Sequence, residues 1–239
     1  NGQAISPNII KVIRQGSSIK NTKIAPIYYS DIIAQFLSKT SDEKIEFTAN
    51  NIEYKFSSGK KGLHDFTFKE ESGRLVGIMG GSGSGKSTLL NVLNGNYPPS
   101  SGEIKINGIG LYESPKLLKG VIGFVPQDDL LIEELSVFEN LYYNGKLCFG
   151  NYEDDKLVEL VNEVLISIGL FEAKDLKVGN PLSKTISGGQ RKRLNIALEL
   201  IREPSILFVD EPTSGLSSND SEIIMDLLRC FASMVCWPF

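Results

Sequence analysis

The stretch LVGIMGGSGSGKSTLLNVL, residues 75–93, decides the fold. Leu75 to Met79 form a short apolar run of the kind a fully buried parallel strand carries. Gly80, Gly81, Ser82, Gly83, Ser84, Gly85, Lys86, Ser87 and Thr88 follow at once and fit G-x-x-x-x-G-K-[ST] in full. Lys86 to Leu93 then reads as a helix. The glycines let the backbone turn tightly and aim several N–H groups at one point. The helix behind them adds its unpaired N-terminal donors and the positive end of its dipole. Lys86 can reach the β- and γ-phosphates of a nucleotide, and the Ser87 hydroxyl can ligate Mg²⁺.

Two further motifs lie downstream. Ile206-Leu207-Phe208-Val209 runs into Asp210 and Glu211, which describes a buried strand ending at the ligand-binding edge of a sheet. Asp210 is placed to hold Mg²⁺, directly or through water, and Glu211 to orient or deprotonate an attacking water. Ser187-Gly188-Gly189-Gln190 precedes the basic run Arg191-Lys192-Arg193. Leu194, Ala197, Leu198 and Ile201 recur at helical spacing after it, so a helix with one apolar face begins here. A Ser-Gly-Gly step at a helix start is a second anion socket. Either the two sockets converge within one chain, or each completes a site on another copy; spacing leaves both open.

The rest of the chain supports an α/β reading. Residues 45–48, 52–56 and 66–69 alternate apolar and polar as half-buried strands do. Residues 104–106 and 121–125 are further strands; 136–146, 154–168, 190–201 and 222–229 read as helices. The expected architecture is a nucleoside-triphosphatase core with a mostly parallel sheet, an antiparallel β edge, and a helical subdomain inserted at about 128–180. Residues 1–41 have few regular periods and read as an arm or linker, with one candidate helix capped by Ser30 or Asp31 and carrying Ile32, Ile33, Phe36 and Leu37. The main domain is expected over 42–229, and 230–239 as an altered or cut tail.

The 239 residues are 41% hydrophobic and 23% charged, ordinary for a globular chain. Lys plus Arg number 25 against 29 Asp plus Glu, a net −4, which argues against a dedicated nucleic-acid binder. Cys148, Cys230 and Cys236 lack metal-ligand spacing and read as reduced thiols. His64 is the single histidine, so histidine metal sites and a Ser-His-Asp triad are hard to build. No apolar run approaches the ~18–20 residues that cross a bilayer, and no secretory signal pattern is present. The expectation is a soluble cytosolic piece.

Taken together, these motifs resemble the nucleotide-binding domain of ABC-type ATPases over about 45–229. Gly80–Thr88 resembles the Walker A loop, residues 206–211 the Walker B strand with its catalytic glutamate, and Ser187–Gln190 the signature. Gln127, in GFVPQD, matches the glutamine of the Q-loop, and Ser214-Gly215-Leu216 the start of the D-loop. Phe56 stands where the family stacks an aromatic on adenine, with Tyr54 a rival. Val178-Gly179-Asn180 before the signature, Arg191-Lys192-Arg193 with Glu199-Leu200-Ile201 after it, and Pro212–Leu216 resemble the G subfamily, the white/pigment-type half-transporters.

The resemblance implies ATP and Mg²⁺ as cofactors, with Lys86, Gln127 and Glu211 catalytic and Ser87, Gln127 and Asp210 near the metal. It also implies a head-to-tail dimer with a second ABC domain, ATP lying between the P-loop of one copy and Ser187–Gln190 of the other. The partner would be a transmembrane domain, in the same or a separate chain, at the cytoplasmic face of a membrane. The alternative within the family is a soluble ATPase acting on ribosomes or DNA. A P-loop kinase or GTPase is disfavoured by the signature and by the lack of Asn-Lys-x-Asp.

Two departures stand out. Ser217 occupies the place where the family D-loop has Asp, with Asp220 three residues on, and a hydroxyl cannot supply the same charge-assisted bonds. The family's switch histidine beyond Walker B has no counterpart, since His64 lies far upstream. The expectation is a chain that binds ATP–Mg²⁺ and hydrolyses it poorly.

Overall fold

The computed structural model describes residues 18–21, 24–28, 44–150, 152–180 and 185–233. The chain divides into two compact units, Asn1–Ile45 and Glu46–Phe239. In the first, β1 (Ser18–Asn21) and β2 (Ile24–Tyr28) pair antiparallel, Ser18 opposite Tyr28 and Ile19 opposite Ile27. The helix expected over 31–37 lies outside the described residues.

The larger unit opens with β3 (Glu46–Lys55) and β4 (Lys61–Glu71), joined by the turn at Ser57–Gly59, then β5 (Ser101–Ile106) and β6 (Ile109–Gly110). They form one antiparallel sheet in the order β4-β3-β5-β6. Where the sequence predicts two strands at 45–48 and 52–56, the chain makes one strand with a bulge. The register with β4 shifts between Ala49 and Ile52, and the register with β5 between Asn50 and Glu53. Asn51 takes the left-handed conformation, φ 49°. The inserted residue returns apolar side chains to the core face, so that Phe47, Ala49 and Ile52 are all buried. Gly102 makes the bulge possible: a Cβ there would sit 2.3 Å from the Asn51 carbonyl oxygen and 2.4 Å from that of Asn50.

Helix α1 (Lys86–Leu93) starts at Gly85 and buries Leu90, Val92 and Leu93. Its C-terminal carbonyls need partners. The Tyr112 hydroxyl supplies one, lying 2.7 Å from the Val92 oxygen and 2.6 Å from that of Tyr97. Burial pushes the Tyr112 pKa up to about 12. Tyr112→Phe should therefore cost about 1 kcal/mol in urea unfolding near neutral pH. The raised folded-state pKa fixes the sign with pH: the contribution is intact below the ordinary value of 10.0 and is lost as pH rises toward 12. The gap between wild type and variant should narrow in melts at about pH 11; a gap that stays constant or widens removes this role.

β7 (Ile122–Val125) and β8 (Ile206–Val209) pair in parallel, Ile122 with Ile206 through Val125 with Val209. Phe208 meets Phe47 of the antiparallel sheet edge-on, ring centroids 5.9 Å apart. Helices α2 (Val137–Cys148) and α3 (Asp154–Ser167) precede α4 (Gly188–Leu200), and α5 (Ser218–Ser233) ends the described chain. Leu141, Leu157, Val161 and Leu165 of α2 and α3 pack with Leu194, Ala197 and Leu198 of α4 in one core. The opposite side of α4, through Ile196 and Leu200, packs on Val125, Ile224 and Leu228. α4 is thus apolar on two faces because it is the wall between the helical segment and the sheet. α5 extends to Ser233, past the predicted 229 and into the first residues of the expected tail; 234–239 lie outside the described residues.

The α/β architecture and the antiparallel edge are as the sequence predicts; among the described residues the parallel component is a single pair, β7 with β8. The apolar run 75–79 is not a strand. Leu75, Val76, Ile78 and Met79 are 44, 45, 39 and 95% exposed. A buried parallel strand needs neighbours along both edges and a layer over both faces, and among the described residues this run has no ladder partner. Apolar composition alone could not reveal that. Among the described residues no helix is long and apolar enough to cross a membrane.

Candidate nucleotide site

Gly83 and Gly85 have φ of 75° and 94°, conformations open to glycine at no steric cost. The Ser84 amide closes a turn on the Gly81 oxygen at 3.2 Å. The Lys86 ammonium folds over the loop and donates to the carbonyls of Gly80 (3.0 Å) and Gly81 (3.1 Å). A Cβ on Gly80 would stand 2.6 Å from Ser84 Oγ, so that hydroxyl would have to turn away. Gly81, Ser82, Gly83, Ser84 and Ser87 are exposed. No ion pair engages Lys86 among the described residues.

At the end of β8, Asp210 is 6% exposed, and among the described residues its carboxylate has no hydrogen-bond partner. Its carboxylate oxygens are hard donors of the kind a cation takes. Glu211 follows in the left-handed region with φ 44°, a strained state for a side chain of its kind. Glu211 lines a cavity of about 310 Å³ with Gln127, Asp128, Asp129, Gly188, Arg191 and Lys192. The structure therefore brings Gln127, Glu211 and the start of α4 together. It does not bring residues 80–88 into that cavity: Lys86, Ser87 and the rest of the loop lie beside β4, where the carbonyl of Gly62 comes nearest a Cβ placed on Gly85. Ser87, Gln127 and Asp210 have the hard oxygen donors that Mg²⁺ takes, although of the three only Gln127 lines the cavity. Among the described residues no three His, Cys, Asp or Glu gather as a metal cage.

The start of α4 is closed by a reciprocal cap. Ser187 Oγ accepts from the Gln190 amide at 3.1 Å, and Gln190 Oε1 accepts from the Ser187 amide at 2.7 Å. This explains Ser187 and Gln190 structurally. Asp220 closes over Gly189, where a Cβ would meet the Asp220 carboxylate at 2.1 Å and the Asp220 Cβ at 2.8 Å. Ser217, where the resemblance leads one to expect Asp, has a role within the chain. Its Oγ accepts from the Asp220 amide at 3.1 Å and donates to Asp220 Oδ2 at 2.8 Å, capping α5.

Three consecutive basic residues fan out from α4, because neighbours on a helix point about 100° apart. Arg191 makes a two-pronged contact with Asp129, Nε to Oδ2 at 2.9 Å and Nη2 to Oδ1 at 3.1 Å, and donates to the Gly179 carbonyl. Lys192 donates to the carbonyls of Pro126 and Gln127 (3.2 Å each) and Asp210 (3.5 Å). Arg193 donates to the Ile168 carbonyl at 2.7 Å. Burial pulls both Lys192 and Arg193 below their ordinary pKa values. The sequence marks this run as basic and as a point of resemblance to the G subfamily; its reach to four distant segments has no local signal. Of the two candidate aromatics, Tyr54 is stacked on Tyr97 (5.7 Å, 15°) and set edge to face with Phe56 (5.2 Å, 81°), while Phe56 keeps 37% exposure.

Comparison with known proteins decides the family. Residues 63–214 match the family described as ABC transporter. The chain belongs to the ABC transporter family. It is 42% identical over 166 residues to ABC transporter G family member 28 of Arabidopsis thaliana, a match covering 68% of this chain and 15% of that protein. It is 37% identical over 191 residues to the ABC-type transporter claG of Penicillium crustosum, covering 76% and 25%. This ABC chain thus spans a quarter or less of these curated relatives. Among solved structures, cbiO1 from Clostridium perfringens, part of the ABC transporter complex cbiONQ, superposes with a TM-score of 0.69 at 30% identity, covering 82% of this chain and 76% of that one. The fold is that of an ABC ATPase domain, and its curated relatives include several G family members.

Proposed function

We propose that this chain is the ATP-driven motor domain of a G-type transporter, organised as one domain over 42–229 with a helical subdomain at about 128–180. The observation that carries the reading is the cavity that joins Gln127, Glu211 and the first residues of α4 at the C-terminal edge of the parallel strands, where open α/β sheets place their ligands. Gly80–Thr88 would hold the phosphates through backbone N–H groups and Lys86, with Phe56, the more exposed of the two aromatics, against adenine. Ser87, Asp210 and Gln127 would hold Mg²⁺, which neutralises phosphate charge when bound. Glu211 would orient or accept a proton from the attacking water.

Residues 80–88 lie outside the cavity, which fits the second of the two arrangements that spacing left open: the loop of one copy facing Ser187–Gln190 of another. The partner would be a second ABC domain, homologous or identical, docked with a transmembrane domain in the same or a separate chain, at the cytoplasmic side of a membrane.

His64 lies in β4, exposed, and no imidazole lines the Glu211 cavity. The chain should therefore bind ATP–Mg²⁺ but turn it over near background in a coupled phosphate-release assay. Robust steady-state hydrolysis, abolished by Glu211→Gln, would show this wrong. ATP-dependent dimerisation followed by light scattering tests the arrangement in trans, and Ser187→Arg should eliminate it.

A further inference from the structure

The parallel ladder ends abruptly at the site. Its last backbone bond runs from the Asp210 amide to the Val125 oxygen at 2.9 Å. The next residue of that strand's path is Pro126, which has no N–H to continue it. Three carbonyls, of Pro126, Gln127 and Asp210, are left at the sheet edge without ladder partners. One ammonium has three protons to give, and Lys192 Nζ lies 3.2, 3.2 and 3.5 Å from those three oxygens. The Asp210 carbonyl belongs to the peptide that joins Asp210 to Glu211. Holding that oxygen fixes the peptide plane from which Glu211 takes its φ of 44°. Glu211 is thus in a strained conformation whose supporting plane is tied to another element, the condition under which such strain persists. The same ammonium carries charge into the cavity that Gln127 and Glu211 line. Asp210, Asp129, Asp128 and Glu211 all favour its protonated form, against the burial that opposes it.

We propose that Lys192 is a positioning residue for the nucleotide site, a clamp from α4 that sets the spacing between the Gln127 segment and the Asp210–Glu211 peptide. It touches neither nucleotide nor metal; it acts through the two segments it joins. The proposal rests on the assignment of Gln127, Asp210 and Glu211 to the metal and water side of the site.

The test uses the full chain and two readouts, local amide hydrogen exchange and the factor by which Mg²⁺ tightens ATP binding, taken as Kd in EDTA over Kd in Mg²⁺. Lys192→Met should leave ATP affinity in EDTA within about twofold, because the loop at 80–88 is untouched. It should cut the Mg²⁺ factor at least fivefold, about 1 kcal/mol. Exchange should rise in peptides covering 122–130 and 206–214 and remain unchanged in β3 and α1. Lys192→Arg, which can still donate to several carbonyls, should restore most of both.

A uniform rise in exchange with the Mg²⁺ factor retained makes Lys192 an ordinary packing residue and overturns the proposal. If Lys192→Met does not fold, Lys192→Gln is read against the same criteria. Asp210→Asn separates the two levels. Loss of the Mg²⁺ factor in Asp210→Asn but not in the Lys192 variants refutes the clamp alone; retention in Asp210→Asn refutes the site assignment beneath it.

Discussion

Lys86→Ala should abolish the thermal shift expected from ATP in this chain. The Lys86 ammonium is neutralised by no acid among the described residues and is held only by the carbonyls of Gly80 and Gly81, at 3.0 and 3.1 Å. A triphosphate offers it full negative charge in place of two dipoles, so the exchange favours binding. At ATP a hundredfold above Kd, the wild-type chain gains about 2.7 kcal/mol. For a unit of this size that is about 5–10 °C in Tm. The alanine variant should melt within a degree or two of wild type without nucleotide, since Lys86 opens a helix and contributes no core contact. It should then show no upward movement with ATP. Differential scanning fluorimetry reads both quantities. A variant that keeps half of the wild-type shift places the phosphates elsewhere.

Arg191→Met carries the largest expected loss of stability. Arg191 is 5% exposed and meets Asp129 through two parallel bonds, with the Gly179 carbonyl completing its fork. Removing one member of a buried pair leaves the other charge unpaired, a cost of about 3–5 kcal/mol. Asp129 retains some water contact, its side chain being 28% exposed, which brings the expectation to about 2–4 kcal/mol in urea unfolding. Asp129→Asn in the same chain should recover part of the loss, because the orphaned charge is gone while the lost bonds are not. A single-variant cost below about 1 kcal/mol would mean the pair is a surface interaction in all but appearance.

These two residues sit at opposite ends of what could be read in advance. Lys86 was legible because its chemistry is local: glycines, lysine and hydroxyl lie within one turn of chain, and their spacing encodes their geometry. The same holds for α1, predicted and found over Lys86–Leu93, and for the Ser187–Gln190 step, whose reciprocal cap closes over three residues. Arg191 and Lys192 were visible as charges but silent about partners, because Asp129, Pro126 and Asp210 come to them only through the packing of α4 on the sheet. Ser217 is half legible for a related reason: the sequence shows a hydroxyl where the resemblance leads one to expect an acid, and only the fold shows that it caps α5 and holds Asp220.

By itself the sequence determined the α/β class, the glycine loop with its lysine, the acidic pair ending a strand and the helix that follows Ser187, because periods of two and 3.6 residues and turn-forming glycines act over short stretches of chain. Only the tertiary structure decided that residues 75–79 remain exposed, that Ala49 and Ile52 reach one face through a bulge opposite Gly102, and that Gln127 and Glu211 share a cavity with α4 while residues 80–88 do not. Those outcomes depend on which segments supply partners for a strand's edges and layers for its faces, and that competition is settled between residues far apart in the chain.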